Sequence, residues 1–191
     1  MTLSTSSSTG NEKPRGVLIG LRVIVPNPDE ASELYIKGVY GKPFGIKKPG
    51  LQKYNDVLEL SLFEALYLLE NDSITIENAD GKKLSVEELR KISFERIPDF
   101  RELYDVYRDF RKKGFIVRSG MKFGSDFSLY KTAPGIEHAP YLVGVFKKDS
   151  EIDPVELIRA GRLSHSVRKK FIIAVHLGDN VKYAFLEWYK P

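Results

Sequence analysis

The segment YKTAPGIEHAPYLVGVF, residues 130–146, sets Tyr130 and His138 on either side of a seven-residue stretch containing Pro134 and Gly135. If the flanking residues are strands, the hairpin brings its two ends together, and both side chains can reach one bound group. A histidine with an ordinary pKa near 6.5 can hold a proton and release it at neutral pH, which is what general acid–base chemistry requires. On these two residues alone, a turn histidine beside a core tyrosine is the simpler account.

A second cluster shifts the balance. In RAGRLSHSVRKK, residues 159–170, Arg162, His165 and Lys169 are spaced i, i+3 and i+7. They would share one face if the helix runs that far. Arg168, Lys169 and Lys170 follow one another at its end, more cations than compensation of a helix dipole calls for. His165 reads as a packing or backbone-bonding residue. His176 alternates with apolar neighbours in FIIAVHLG and reads as structural. Metal chemistry has weaker support. Asp80-Gly81-Lys82 reads as a turn, zinc-type His/carboxylate spacing is missing, and no glycine-rich phosphate loop precedes a helix. Metal-free acid–base work, with no cofactor, is the chemistry these residue types suit.

The elements that must position these groups can be read in order. GVLIGLRVIV (16–25) reads as one strand, ended by PNPDE as a turn, and ELYIKGVY (33–40) as a second strand. Residues 41–56, with three glycines, two prolines and four lysines, read as a loop. Ser61 with Glu64, and Ser85 with Glu88, are capping boxes that start two helices. Between them SITIEN reads as a short strand. Phe100, Leu103, Tyr107 and Phe110 recur at helical spacing in residues 98–114, a helix bridging two halves. After it, FIVRSG, KFGSDFSLY and APYLVGVF read as strands. DPVELIRAGRLSHSVRKK is a helix capped by Asp153, with Pro154 at its first position. KFIIAVHL and VKYAFLEW form a closing hairpin around GDN. The expectation is a mixed α/β (α+β) fold of two small domains: a tail over 1–13, an α/β domain over 14–97, the bridging helix, and a mixed-sheet domain with one main helix over 115–191.

Composition sets outer limits. With 191 residues, one or two domains are open, and 42% hydrophobic with 12% aromatic residues suffice for a core. The formal charge of +4 suits an anionic partner without demanding one. The absence of cysteine excludes disulfides and thiolate metal sites. No apolar run approaches the roughly 20 residues of a membrane span. The Ser/Thr-rich start lacks a signal core and reads as a disordered tail, so the expected compartment is the cytoplasm.

Taken together, GMKFGSDFSLY, EHAPYLVGV and RLSHSVRKKFIIAV resemble, in order, the catalytic domain of the archaeal tRNA-splicing endonucleases (tRNA-intron lyases), over residues 115–191. ELSLFEALYLLE resembles the N-terminal half of the same family. The loop between Tyr130 and His138 is about two residues shorter than in some members. The resemblance implies metal-independent cleavage of precursor tRNA at bulge–helix–bulge intron junctions, leaving 2′,3′-cyclic phosphate and 5′-OH ends. It assigns Tyr130 to the 2′-OH proton, His138 to the leaving 5′-oxygen and Lys169 to the charge of the transition state. Arg162 would stack on a bulged base, with Trp188 as a second RNA contact. It also implies that Asp179, in GDN, docks into a neighbouring subunit. Finally, KPFGIKKPG looks like the inserted loop of the family's heterotetrameric branch, with Lys42, Lys47 and Lys48 reaching RNA and a structural subunit as partner. A homo-oligomer, a non-catalytic structural or RNA-binding subunit, and a metal-dependent nuclease stand as alternatives.

Overall fold

The computed structural model describes residues 13–47 and 49–187. GVLIGLRVIV, expected as one strand, is a hairpin. β1 (Arg15–Ile19) and β2 (Arg22–Val25) pair antiparallel, Ile19 opposite Arg22. Apolar alternation runs on both sides of the turn and hides it. Gly20, at φ 57°, supplies the left-handed conformation that a two-residue turn needs.

PNPDE is more than a turn: it starts a helix. The Asn27 side-chain oxygen accepts from the backbone N–H of Asp29 (3.0 Å) and Glu30 (3.3 Å), Pro28 occupies the first helical position, and both acids face the positive end of the dipole. The resulting α1 (Pro28–Gly38) absorbs ELYIKG, which was expected as a strand. Its buried residues Ala31, Leu34 and Tyr35 recur at three and four positions, the helical period. Residues 41–56 are also not wholly irregular, because β3 (Lys42–Pro43) pairs with β4 (Leu58–Ser61).

The two capping boxes form as expected, opening α2 (Leu62–Glu70) and α3 (Val86–Arg96). Between them β5 (Thr75–Glu77) lies parallel to β1, completing a sheet of order β3-β4-β2-β1-β5. Asp80 sits in the turn after β5, where the Asn78 side chain accepts from the N–H groups of Asp80 and Lys82 at 3.0 and 2.9 Å.

The bridging helix, α4 (Phe100–Lys112), joins the halves into one core. Phe100 stacks on Phe63 of α2, with ring centres 4.6 Å apart. Farther along the helix, Phe110 packs against Phe115 and Tyr183 of the second half. Phe63 also meets Phe127 edge-on at 5.8 Å, so aromatic contacts run from one half to the other. A polar link accompanies them. The buried Glu64 carboxylate completes the α2 capping box through one oxygen. Its other oxygen accepts from the Gly41 N–H (2.8 Å) and from Arg118 of the second half (3.0 Å).

The second sheet has the order β10-β9-β8-β7-β6. β6 (Ile116–Ser119), β7 (Phe127–Tyr130) and β8 (Tyr141–Lys147) are antiparallel neighbours. β7 is shorter than KFGSDFSLY suggested, because Met121–Phe123 form a 3₁₀ turn closed by Gly124 at φ 61°. The helix α5 (Pro154–Ser166) carries the chain across to β9 (Lys170–His176), parallel to β8, and β10 (Val181–Leu186) closes the edge. Among the described residues no helix is long and apolar enough to cross a membrane.

Candidate active site

Tyr130 is the last residue of β7, half-buried and opposite Ile116. The loop that follows is ordered by its own backbone. The Ala133 carbonyl accepts from the N–H of Ile136 (3.1 Å) and Glu137 (3.4 Å), and Gly135 takes φ 95° to close the turn. The Glu137 carboxylate then reaches back. Its Oε1 accepts from the backbone N–H of Lys131 (2.5 Å) and Thr132 (2.6 Å), the two residues after Tyr130. These bonds hold the Glu137 carboxyl below the usual carboxylate range, the Thr132 N–H contributing most. His138 follows, exposed to solvent, just ahead of buried Ala139.

Lys169 arrives by a different route from the one expected. The helix does not continue to it: α5 ends at Ser166 and Arg168 turns to φ 56°. The N–H of Arg168 bonds the His165 carbonyl (3.0 Å) and that of Lys169 bonds the Ser164 carbonyl (2.7 Å). This is a Schellman motif, with arginine where glycine is commoner. Lys169 is therefore not on a helical face with Arg162 and His165. It stands at the mouth of β9, where its Nζ donates to the Ala139 carbonyl at 2.6 Å and lies 5.2 Å from the centre of the Phe123 ring. Burial there pushes the Lys169 pKa down.

The three residues stand at one end of the second sheet, at the close of β7 and just ahead of β8 and β9, with the side chains of Glu137 and Lys169 bonding backbone groups between them. The arrangement offers a phenol, an exposed imidazole and a half-buried ammonium at one sheet end. That set can move protons and stabilise developing negative charge.

The remaining residues lie around this set or away from it. Arg162 is exposed on α5. Lys42, in β3, and Lys47 are exposed on a segment whose far end lies against the loop between Tyr130 and His138. A Cβ placed on Gly135 would lie 3.8 Å from the Pro49 carbonyl oxygen and 4.0 Å from Gly50 Cα. The tyrosines hold that end in place: Tyr35 donates to the Pro49 carbonyl and Tyr54 to the Gly50 carbonyl, at 3.1 and 3.2 Å. Lys48 and Trp188 lie outside the described residues. Asp179 is exposed in the turn between β9 and β10. The length of β9 separates it from Lys169 by about 20 Å. Below that turn, buried His176 meets Asp105 at 2.9 Å and accepts from the Gly178 N–H at 3.3 Å.

Two neighbours of the set escaped the sequence reading. Phe123 gives no signal, since its approach to Lys169 depends on the 3₁₀ turn. Glu137 gives a faint one: an acid next to a candidate acid–base histidine is a charge that the fold must place.

Residues 100–183 match the family model described as the tRNA intron endonuclease catalytic C-terminal domain, and residues 15–90 match that of the tRNA intron endonuclease N-terminal domain. A tRNA-splicing endonuclease of Hyperthermus butylicus is 50% identical over 179 residues, covering 93% of this chain and 99% of that protein. The tRNA-splicing endonuclease of Saccharolobus solfataricus is 43% identical, covering 92% and 98%. One from Saccharolobus islandicus has the same identity and coverage.

Proposed function

This chain belongs to the tRNA intron endonuclease family, and we propose that it is the catalytic subunit of a tRNA-splicing endonuclease, cutting precursor tRNA at bulge–helix–bulge junctions without a metal ion. The observation that carries this reading is the bond from Lys169 Nζ to the carbonyl of Ala139, the residue that follows His138. An ammonium has three donors. With one on Ala139, two remain for the non-bridging oxygens of a phosphate.

In this reading the ribose 2′-OH attacks the adjacent phosphorus and the bond to the 5′-oxygen breaks. The 2′-OH proton passes to Tyr130 as the phenolate, or through a water molecule that the neutral phenol orients, because the neutral phenol itself has no site to take it up. His138 delivers a proton to the departing 5′-oxygen. Lys169 stabilises the extra charge on the pentacovalent phosphate, an effect worth several kcal/mol in a desolvated setting. The products are a 2′,3′-cyclic phosphate and a 5′-OH. The test is a bulge–helix–bulge RNA incubated in excess chelator, the chain alone and with a structural subunit, with the ends analysed. Cleavage that stops in chelator, or leaves a 3′-OH, overturns the reading. Full activity of the chain alone overturns the heterotetramer.

The RNA contacts follow from shape and charge. Arg162 stacks on an extruded base, while Lys42, Lys47 and Lys48 meet phosphates, and Trp188 adds a second ring. Arg162→Lys keeps the charge without the planar face, so we expect it to rescue Arg162→Ala poorly. Equal cleavage by Arg162→Lys and wild type would leave only a charge contact.

Asp179 docks into a basic cleft of a neighbouring subunit. The distance of its turn from the proposed catalytic set supports an assembly role. Asp179→Lys is expected to split the assembly into smaller species. An unchanged mass by light scattering would remove the docking role.

A further inference from the structure

We propose that Glu137 is a positioning residue for the reaction, holding Tyr130 and His138 in register by binding the two backbone N–H groups that follow Tyr130. The inference rests on the function proposed above and extends it to a residue that takes no proton and touches no reacting atom.

The geometry is specific. Between Tyr130 and His138 the chain makes no ladder with its neighbours, and β7 and β8 begin pairing only at Leu129 and Tyr141. The separation of the two side chains therefore depends on the loop's own contacts. The turn at Ala133 tightens its middle, and a bridge between Pro134 and Glu137 continues it. Among the described residues, the Glu137 carboxylate ties the two residues after Tyr130 to the residue before His138, at 2.5 and 2.6 Å. One acceptor atom takes both bonds, so the loop ends converge on a point. On the far side of His138, Lys169 holds Ala139. His138 is thus clamped on both sides, by a carboxylate before it and an ammonium after it.

The charge of Glu137 points the same way. A carboxylate beside a site for a phosphodiester repels its substrate. Two N–H dipoles directed at one oxygen offset that charge and turn the side chain inward to the loop. An acid kept only for solubility would face outward, without such partners.

Three substitutions separate positioning from charge and from fold. Gln keeps an oxygen acceptor of the same reach without the charge, Asp keeps the charge with a shorter reach, and Ala keeps neither. The assay is single-turnover cleavage of a bulge–helix–bulge RNA, in whichever assembly the wild-type chain cleaves, with RNA affinity and thermal midpoint measured alongside. Glu137→Ala and Glu137→Asp are expected to cleave roughly 10- to 100-fold more slowly at saturating RNA, with affinity unchanged within about twofold. Glu137→Gln is expected to stay within about threefold of wild type. Glu137→Ala cleaving like wild type, or Glu137→Gln falling as far as Glu137→Ala, overturns the proposal. So does a loss that appears as weaker RNA binding rather than slower cleavage. If the wild-type chain itself fails to cleave in chelator, the proposed function fails; a wild type that cleaves while Glu137→Ala matches it sinks the positioning role alone.

Discussion

His138→Ala is expected to slow single-turnover cleavage of a bulge–helix–bulge RNA by a factor on the order of 10² or more, while RNA affinity stays within about twofold. The asymmetry comes from where the imidazole acts. An alkoxide leaving group at the 5′-oxygen is a strong base, so a proton delivered during bond breaking lowers the barrier in the transition state and not in the bound ground state. His138 is exposed and its loop neighbours are held by Glu137 and Lys169, so truncating it removes a proton donor without unpacking a core. An RNA whose leaving oxygen is replaced by sulfur sharpens the test. Thiolate needs no proton to depart, so His138→Ala should cleave it nearly as fast as wild type does. Near-normal cleavage of the ordinary RNA by His138→Ala would remove the residue from the mechanism.

Glu64→Ala is expected to cost about 3 kcal/mol of stability, enough to lower the thermal midpoint by roughly 6 to 12 °C for a chain of this size. The Glu64 carboxylate takes bonds from Ser61, Gly41 and Arg118 and is almost wholly buried, while Arg118 is 20% exposed. Its removal leaves a guanidinium and two backbone N–H groups without their acceptor, and water reaches Arg118 only in part. Glu64→Gln keeps an acceptor but presents N–H groups where donors already point, so it should fall between alanine and wild type. The measurement is reversible urea unfolding. A loss below about 1 kcal/mol would mean that water replaces the carboxylate and that apolar packing, not this polar link, holds the halves together.

Much of the fold was legible because its signals are local. Ser61/Glu64 and Ser85/Glu88 announce helix starts that need no knowledge of the rest of the chain, and both boxes form. The Phe100–Phe110 stripe marks a helix buried along one side, which α4 is. The misreadings have local causes too. Apolar alternation across Gly20 disguises a hairpin, and the two prolines of PNPDE signal a turn while Asn27-Pro28-Asp29-Glu30 also satisfies the rules for a helix start. The i, i+3, i+7 spacing puts Lys169 on a helical face only if the helix runs that far, and a left-handed arginine leaves no mark in sequence to say that it does not. Arginine carries a Cβ penalty there that glycine would not, and only the two bonds to Ser164 and His165 reveal the motif.

By itself the sequence determined the candidate chemistry, through Tyr130, His138 and Lys169 in motifs that resemble one family, because residue type and spacing along one chain carry that information. Only the tertiary structure decided what surrounds those residues. Glu137 reaching back to Lys131 and Thr132, Lys169 bonding Ala139, and Gly135 lying against Pro49–Gly50 are contacts between segments whose approach depends on turns and on packing across the two sheets. A hydrogen bond acts over about 3 Å and a sequence records only order, so a sequence can nominate a residue for chemistry but not the neighbours that folding gives it.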